Sequence, residues 1–156
     1  MLIDFLKDKQ LIDNTMTVWE PACGEGHMVN VFTENNIKCI GTDVQTGTDF
    51  LQTNIVPCQW IITNPPFSVS EQFIEQCLKF NKPFALLLKT QYWNAKKRLP
   101  LFRKHQPLYI LPLTWRPDFL FKTRGKGSPL MDVMWVVWSK NPAENTYFYP
   151  VEKPVR

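Results

Sequence analysis

Short apolar stretches alternate with amphipathic ones through the first ninety residues, and this alternation constrains the fold more than any other feature of the chain. Apolar runs of about 4 to 8 residues between turn signals read as strands, and apolar residues three or four apart read as one face of a helix. On that basis the sequence predicts a helix over 2–9, a strand over 15–19, a helix over 26–35, a strand over 37–41 and another over 60–63. Phe73, Ile74, Cys77 and Leu78 mark a helix over 70–80 with Ser70 as its N-cap, and "PFALLLK" from Pro83 reads as a central buried strand. Such a succession predicts an α/β fold, a mostly parallel twisted sheet with helices on both faces. At 156 residues and 44% hydrophobic, the chain has enough for one domain, 1–156, and too little for two.

Past Lys89 the pattern changes to a Pro-, Lys- and Arg-rich stretch over 90–129, with one helix over 95–104 and a strand over 108–111. "MDVMWVVW" from Met131 reads as the final strand, antiparallel and an edge hairpin arm, and "NPAENTYFYPVEKPVR" as a tail lying over the surface. Trp60, Trp135 and Trp138 are assigned to the core.

No apolar run approaches the roughly 20 residues that span a bilayer. The start "MLIDFLKDKQLID" carries acids inside its apolar pattern, unlike a signal peptide, so a soluble, cytoplasmic protein is expected. The four cysteines, Cys23, Cys39, Cys58 and Cys77, contain no C-x-x-C and only two histidines accompany them, which points to buried, reduced thiols and no metal site. A net charge of +4 permits an anionic partner, and most of the positive charge lies after residue 88.

Two stretches carry chemistry. "VWEPACGEG", Val18 to Gly26, places a strand end, the acid Glu20 and two glycines before a helix. Glycines there let backbone amides approach a ligand, and the helix N-terminus favours negative charge, although a tight strand-to-helix turn needs glycines anyway. "KCIGTDV" ends the next strand on Asp43, about twenty residues on, where doubly wound folds place a carboxylate for ribose hydroxyls; a plain turn residue is the other reading. Asp49 with Phe50 could offer an adenine edge an acceptor and an apolar wall. The second stretch, "WIITNPPFS", ends a strand on Asn64 and follows it with two prolines and Phe67.

"EPACGEG" followed about forty residues later by "NPPF" resembles the signature pair of S-adenosylmethionine-dependent amino methyltransferases, specifically the small phage and prophage adenine-N6 DNA methyltransferases. "VWEPACGEGHM", "WIITNPPFS", "LLLKTQYW" and "MWVVW" follow that family's order along nearly the whole chain. The resemblance implies a Rossmann-like methyltransferase fold, S-adenosyl-L-methionine as cofactor, and double-stranded DNA with a flipped target base as partner. It assigns Glu20, Gly24 and Gly26 to the methionine portion, Asp43 to the ribose and Asp49 with Phe50 to the adenine, and counts Pro21, Ala22, Val44 and Asn64 among the cofactor-binding residues. The family's upstream Thr-Pro segment, which closes over the methionine end, has no counterpart before Met1, and only about forty irregular residues, 89–131, are left for target recognition.

The chemistry of the second motif can be argued from its atoms. The lone pair of an exocyclic amine is delocalised into the ring, so the nitrogen becomes nucleophilic when acceptors draw both N–H bonds out of plane. The Asn64 side-chain oxygen and the Pro65 carbonyl can be those acceptors, aimed by the fixed φ of Pro65 and Pro66. Phe67 would stack on a base taken out of the duplex. Such catalysis is positioning and electrostatics, with Asn64 touching both cofactor and acceptor. A strand-terminating turn with a core phenylalanine is the bland alternative.

Basic residues Lys89, Lys96, Lys97, Arg98, Arg103, Lys104, Arg116, Lys122, Arg124 and Lys126 are interleaved with Tyr92, Trp93, Phe102, Trp115, Phe119 and Phe121. Cations for phosphates and rings for unstacked bases make a nucleic-acid surface. A solvated basic loop over a satellite core is equally compatible. Methylation of adenine in RNA or of a protein glutamine amide remains open, as does an idle cofactor-binding module; a nicotinamide oxidoreductase is disfavoured because "GEG" lacks the third glycine.

Overall fold

A computed structural model describes residues 1–117 and 131–155. The elements are α1 (Leu2–Asp8), β1 (Thr17–Glu20), α2 (His27–Glu34), β2 (Lys38–Gly41), β3 (Trp60–Thr63), α3 (Ser70–Phe80), β4 (Phe84–Lys89), α4 (Leu99–Lys104), β5 (Tyr109–Pro112), β6 (Val133–Trp138) and β7 (Tyr147–Phe148). Among the described residues they form one seven-stranded sheet in the order β2-β1-β3-β4-β6-β5-β7. β2, β1, β3 and β4 are mutually parallel, whereas β6 runs antiparallel to both β4 and β5. The expected α/β sheet with an antiparallel strand is therefore present.

The strand residues partition by their period of two. Val18, Trp60, Ile62, Ala85, Leu87, Val133, Trp135 and Val137 join a core with Leu6 of α1 and Phe32 of α2. Trp19, Ile61, Phe84, Leu86, Leu88, Met134, Val136 and Trp138 join a second with Ile74 and Cys77 of α3. Each central strand is consequently apolar at successive positions, because both of its faces are covered.

That rule corrects one expectation. β6 is no edge arm: all six of its residues are buried between β4 and β5. Nor is it the final strand. The tail adds β7 at the sheet edge, parallel to β5 through Tyr109↔Tyr147, with Tyr147 and Phe148 exposed. Ser70 is not the N-cap of α3 but its first residue; its hydroxyl donates to the Phe67 carbonyl at 3.1 Å. The helix expected over 95–104 begins only at Leu99, because a 3-10 turn occupies Lys96–Arg98 and Pro100 can enter a helix only in its first turn. Cys58 and Cys77 are buried, while Cys23 and Cys39 are half-buried near the glycine loop.

Candidate functional site

The chain passes from β1 to β2 on one side and then returns to β3 on the other, so the strand order reverses between β1 and β3. Doubly wound sheets bind ligands in the crevice outside the carboxyl ends of the strands at such a point. β1 ends there on Glu20 and β3 on Thr63, followed by Asn64. Glu20 is 2% exposed, and its Oε2 accepts from the Ala22 amide at 2.8 Å and from the Thr63 hydroxyl at 2.7 Å. Burial pushes the Glu20 carboxyl up to about 7; the hydrogen bonds from Thr63 and Ala22 oppose that rise and the charge of Asp43 adds to it.

The loop after Glu20 is held from both sides. The Cys23 amide donates to the Thr42 carbonyl at 2.9 Å, and the Gly26 amide to the Cys23 carbonyl at 2.8 Å. Gly24 (φ 52°) and Gly26 (φ 87°) are both left-handed, and a Cβ at either would meet nothing within 4 Å. They are needed for their backbone conformation, with open space in front of them. Asp43 clamps this loop: one carboxylate oxygen accepts from the Gly24 amide and the other from the Gln45 amide, each at 2.9 Å. Its turn role and its placement beside the loop thus coexist in one residue. Asp49 similarly accepts from the Leu51 amide at 3.0 Å, and Phe50, 2% exposed, packs edge-on against Trp19.

Two cavities flank the loop. One, of about 250 Å³, is lined by Pro21, Ala22, Asp43, Val44, Asp49 and Phe50, with Pro66 at its border. The other, of about 480 Å³, is lined by Glu20, Ala22 and Asn64. Ala22 lines both, so the two cavities adjoin at the loop. The larger cavity also brings in residues that sequence reasoning did not assign to a site: Cys23, His27 and Met28 from the loop and α2, Trp135 from β6, and Met1, Leu2 and Ile3. Thr63 was missed as well, although a hydroxyl at the end of a strand adjoining Glu20 was a readable signal.

Among the described residues, no hydrogen bond engages the Asn64 side-chain amide or the Pro65 carbonyl. Pro66 is extended (φ −55°, ψ 128°), and its carbonyl accepts from the Val69 amide at 3.0 Å, so the chain turns immediately after the motif. Gly24, Gly26 and Pro65 line none of these cavities; they shape the backbone that does. Phe67 is also absent from them and instead borders a third space with Lys89, Tyr92 and Arg98.

The basic segment divides. Lys96, Lys97, Arg103 and Lys104 are exposed. Arg98 is held inward, its guanidinium 3.8 Å from the Tyr92 ring centroid and Nη1 donating to the Tyr92 carbonyl at 2.9 Å. Arg116 is paired with Asp132 at 2.8 Å. Of the two readings of the aromatics, the packing favours the satellite core, since Tyr92, Trp93 and Phe102 meet edge to face and Trp93 reaches Trp138 of the core. They form the satellite core, and Trp115 packs on the main one. Phe119, Phe121, Lys122, Arg124 and Lys126 lie outside the described residues. Among the described residues, no group of three or more metal-ligating side chains is found and no helix is long and apolar enough to cross a membrane.

No family model matches the chain, and no curated protein matches its sequence. Solved structures do match. A provisionally assigned class I S-adenosylmethionine-dependent methyltransferase from Listeria monocytogenes superposes with a TM-score of 0.59 at 14% identity, over 96% of this chain and 63% of that one. A dimethyladenosine transferase from Plasmodium falciparum gives 0.61 at 14% identity, over 92% and 61%. A modification subunit of a provisionally assigned type I restriction enzyme from Vibrio vulnificus gives 0.54 at 14% identity, over 98% and 46%. The chain thus spans between 46% and 63% of the length of these three proteins. At such identities the likeness shows the fold alone, an α/β sheet that this chain shares with these three proteins.

Proposed function

We propose that the chain transfers a methyl group from S-adenosyl-L-methionine to the exocyclic N6 amine of adenine in double-stranded DNA. The observation that carries the reading is the unengaged pair of acceptors, the Asn64 side chain and the Pro65 carbonyl, at the switch point beside Glu20 and the glycine loop. The paired cavities meeting at Ala22 fit a cofactor with a nucleoside at one end and an amino acid at the other. Asp43 and Val44 would hold its ribose, Asp49 and Phe50 its adenine, and Glu20, Pro21, Ala22, Gly24 and Gly26 its methionine portion. Asp43 spends one bond per oxygen on the loop, and a carboxylate has about four lone-pair sites, so ribose hydroxyls can still be accepted. The cofactor supplies an electrophilic methyl on a sulfonium.

The chain's own part is to orient the acceptor. Asn64 Oδ1 and the Pro65 carbonyl each take an N–H of the amine, which turns the nitrogen lone pair out of conjugation and towards the cofactor. Phe67 stacks on the base, which requires that base to leave the duplex. Adenine as target is supported by the order of the two motifs and by the fold shared with a dimethyladenosine transferase, and a nucleic-acid acceptor by the fold shared with a modification subunit of a provisionally assigned type I restriction enzyme. The test is incubation with tritiated cofactor and, separately, duplex DNA, RNA and protein extracts, followed by nucleoside analysis. Label recovered as N6-methyldeoxyadenosine is the expected result. Label confined to RNA or to glutamine would overturn the DNA assignment, and no transfer despite cofactor binding would leave an idle binding module.

A further inference from the structure

The space on the far side of Phe67 is chemically unlike the two cofactor cavities. It encloses about 250 Å³ between Phe67, Ser70, Lys89, Gln91, Tyr92 and Arg98, and no carboxylate lines it. We propose that this cavity is a phosphate subsite, holding a phosphodiester of the acceptor strand next to the base that is methylated. The proposal rests on the methyl-transfer reading above and narrows its acceptor to a nucleotide within a chain.

Four observations converge on an oxyanion. Tyr92 is only 4% exposed, yet its hydroxyl is buried without a hydrogen-bond partner, and so is Nε of Arg98. Folded proteins keep few such groups, because an unmatched buried donor has lost its hydrogen bonds to water without gaining a replacement. Arg98 is not free to turn elsewhere: its guanidinium carbon sits 3.8 Å from the Tyr92 ring centroid and Nη1 is committed to the Tyr92 carbonyl. Lys89, at the end of β4, places Nζ 5.5 Å from the Phe67 ring centroid, so a positive charge stands on the wall the cavity shares with the candidate base-stacking ring. The eleven-residue helix α3 begins at Ser70 on the cavity wall, with Glu71 in its first turn offsetting part of its positive end. Burial holds the Tyr92 phenol above its ordinary value, with Arg98 opposing and Glu71 and Glu75 adding, which keeps it a donor.

Donors without acceptors call for a ligand made of acceptors. A phosphodiester brings several oxygens and one negative charge, and charged hydrogen bonds of this kind are about twice as strong as neutral ones. Its position is compatible with that role, since a phosphate is one sugar away from its base and the candidate stacking ring, Phe67, is itself part of the cavity wall.

The experiment is calorimetric titration of the protein with 2′-deoxyadenosine, its 5′-monophosphate and its 3′-monophosphate, with S-adenosylmethionine affinity measured alongside. At least one nucleotide should bind about tenfold tighter than the nucleoside, the effect of one charge-assisted hydrogen-bonded contact. Tyr92→Phe and Lys89→Met should each remove most of that advantage while leaving nucleoside and cofactor affinity unchanged. Tyr92→Phe should melt no lower than the parent, because the hydroxyl it deletes has no partner, and Lys89→Met tests the same site from a half-buried position. Equal affinity for nucleoside and nucleotides, undetectable nucleotide binding, or a nucleotide advantage intact in both variants would overturn the subsite. Methyl transfer to a glutamine peptide at a rate indifferent to Lys89→Met would overturn it too. Failure of S-adenosylmethionine to bind sinks the methyl-transfer reading separately, since the nucleotide preference is measured without it.

Discussion

The glycine loop and the basic segment both gather polar groups at the carboxyl ends of strands, but they satisfy them in opposite ways. Around the loop, Glu20, Asp43 and Asp49 are each engaged by backbone amides or a neighbouring hydroxyl within 3.0 Å. Across Phe67, by contrast, Tyr92, Trp93 and Arg98 each keep a buried polar atom without a partner. A site whose acceptors are already engaged is preorganised and needs only to admit its ligand. A site with unmatched donors is finished by the ligand itself. Asn64 stands between the two, with its amide unengaged.

The largest effect that would break this contrast lies at Asn64. Asn64→Ala should lower turnover by at least 100-fold, the scale of removing one transition-state hydrogen-bonding group, while cofactor affinity falls by a much smaller factor. Single-turnover transfer and calorimetry on the same preparation check both halves. Turnover comparable to the parent would show that the acceptor nitrogen does not depend on this amide.

Next in size is the pH response of Glu20. Its carboxyl is raised from 4.5 to about 7 in the folded chain, so the folded state holds its proton more tightly than the unfolded one. Stability from this group is therefore full below about pH 4.5 and is lost as pH rises to about 7. The window corresponds to about 3 kcal/mol, at roughly 1.4 kcal/mol per pKa unit. Urea unfolding at pH 5 and pH 8 should show that loss in the parent and little of it in Glu20→Gln. An ammonium bound beside Glu20 favours its charged form, so cofactor affinity should weaken as pH falls below about 7. A flat affinity profile from pH 5.5 to 8 would separate Glu20 from the methionine portion.

Smaller again is Asp43→Ala, which should cost roughly 1–3 kcal/mol of cofactor affinity through lost charged acceptors. Because Asp43 also fixes the Gly24 amide, the variant should lose stability by a similar amount, whereas Gly26→Ala should cost about 1–2 kcal/mol through left-handed strain alone. Asp43→Ala with unaltered affinity would leave Asp43 a loop clamp only.

What could be read from the sequence follows the same division. β3 was placed at Trp60–Thr63 without error because a buried strand declares itself by local apolar content and the prolines that end it. The loop was legible because Glu20, the glycines and Asp43 lie within 24 residues and act through backbone amides of their neighbours. β6 reads as an edge strand in the sequence because centrality depends on β4 and β5, to which its residues pair across gaps invisible to local pattern. β7 went unread for a related reason: two exposed residues at the sheet rim carry no alternation. Arg98 looked like its neighbours Lys96 and Lys97, and only the fold, by placing Tyr92 beneath it, makes it different.

That last distinction yields the smallest effect, and it decides whether the exposed charges serve a nucleic acid. Lys96 and Lys97 are exposed at the start of a 3-10 turn, and surface substitutions there should change stability by no more than about 0.5 kcal/mol. If both touch phosphates, the Lys96→Gln/Lys97→Gln double variant should flatten the log–log salt dependence of duplex binding by about two units, since each contact releases close to one counterion. Arg98→Ala should behave otherwise, costing on the order of 2 kcal/mol of folding stability because it removes a charged hydrogen bond and a ring contact together. Thermal unfolding and filter binding across a salt series measure the two quantities independently. An unchanged slope in the double variant would make these lysines a solvated surface and shift the weight of nucleic-acid binding to the cavity beyond Phe67.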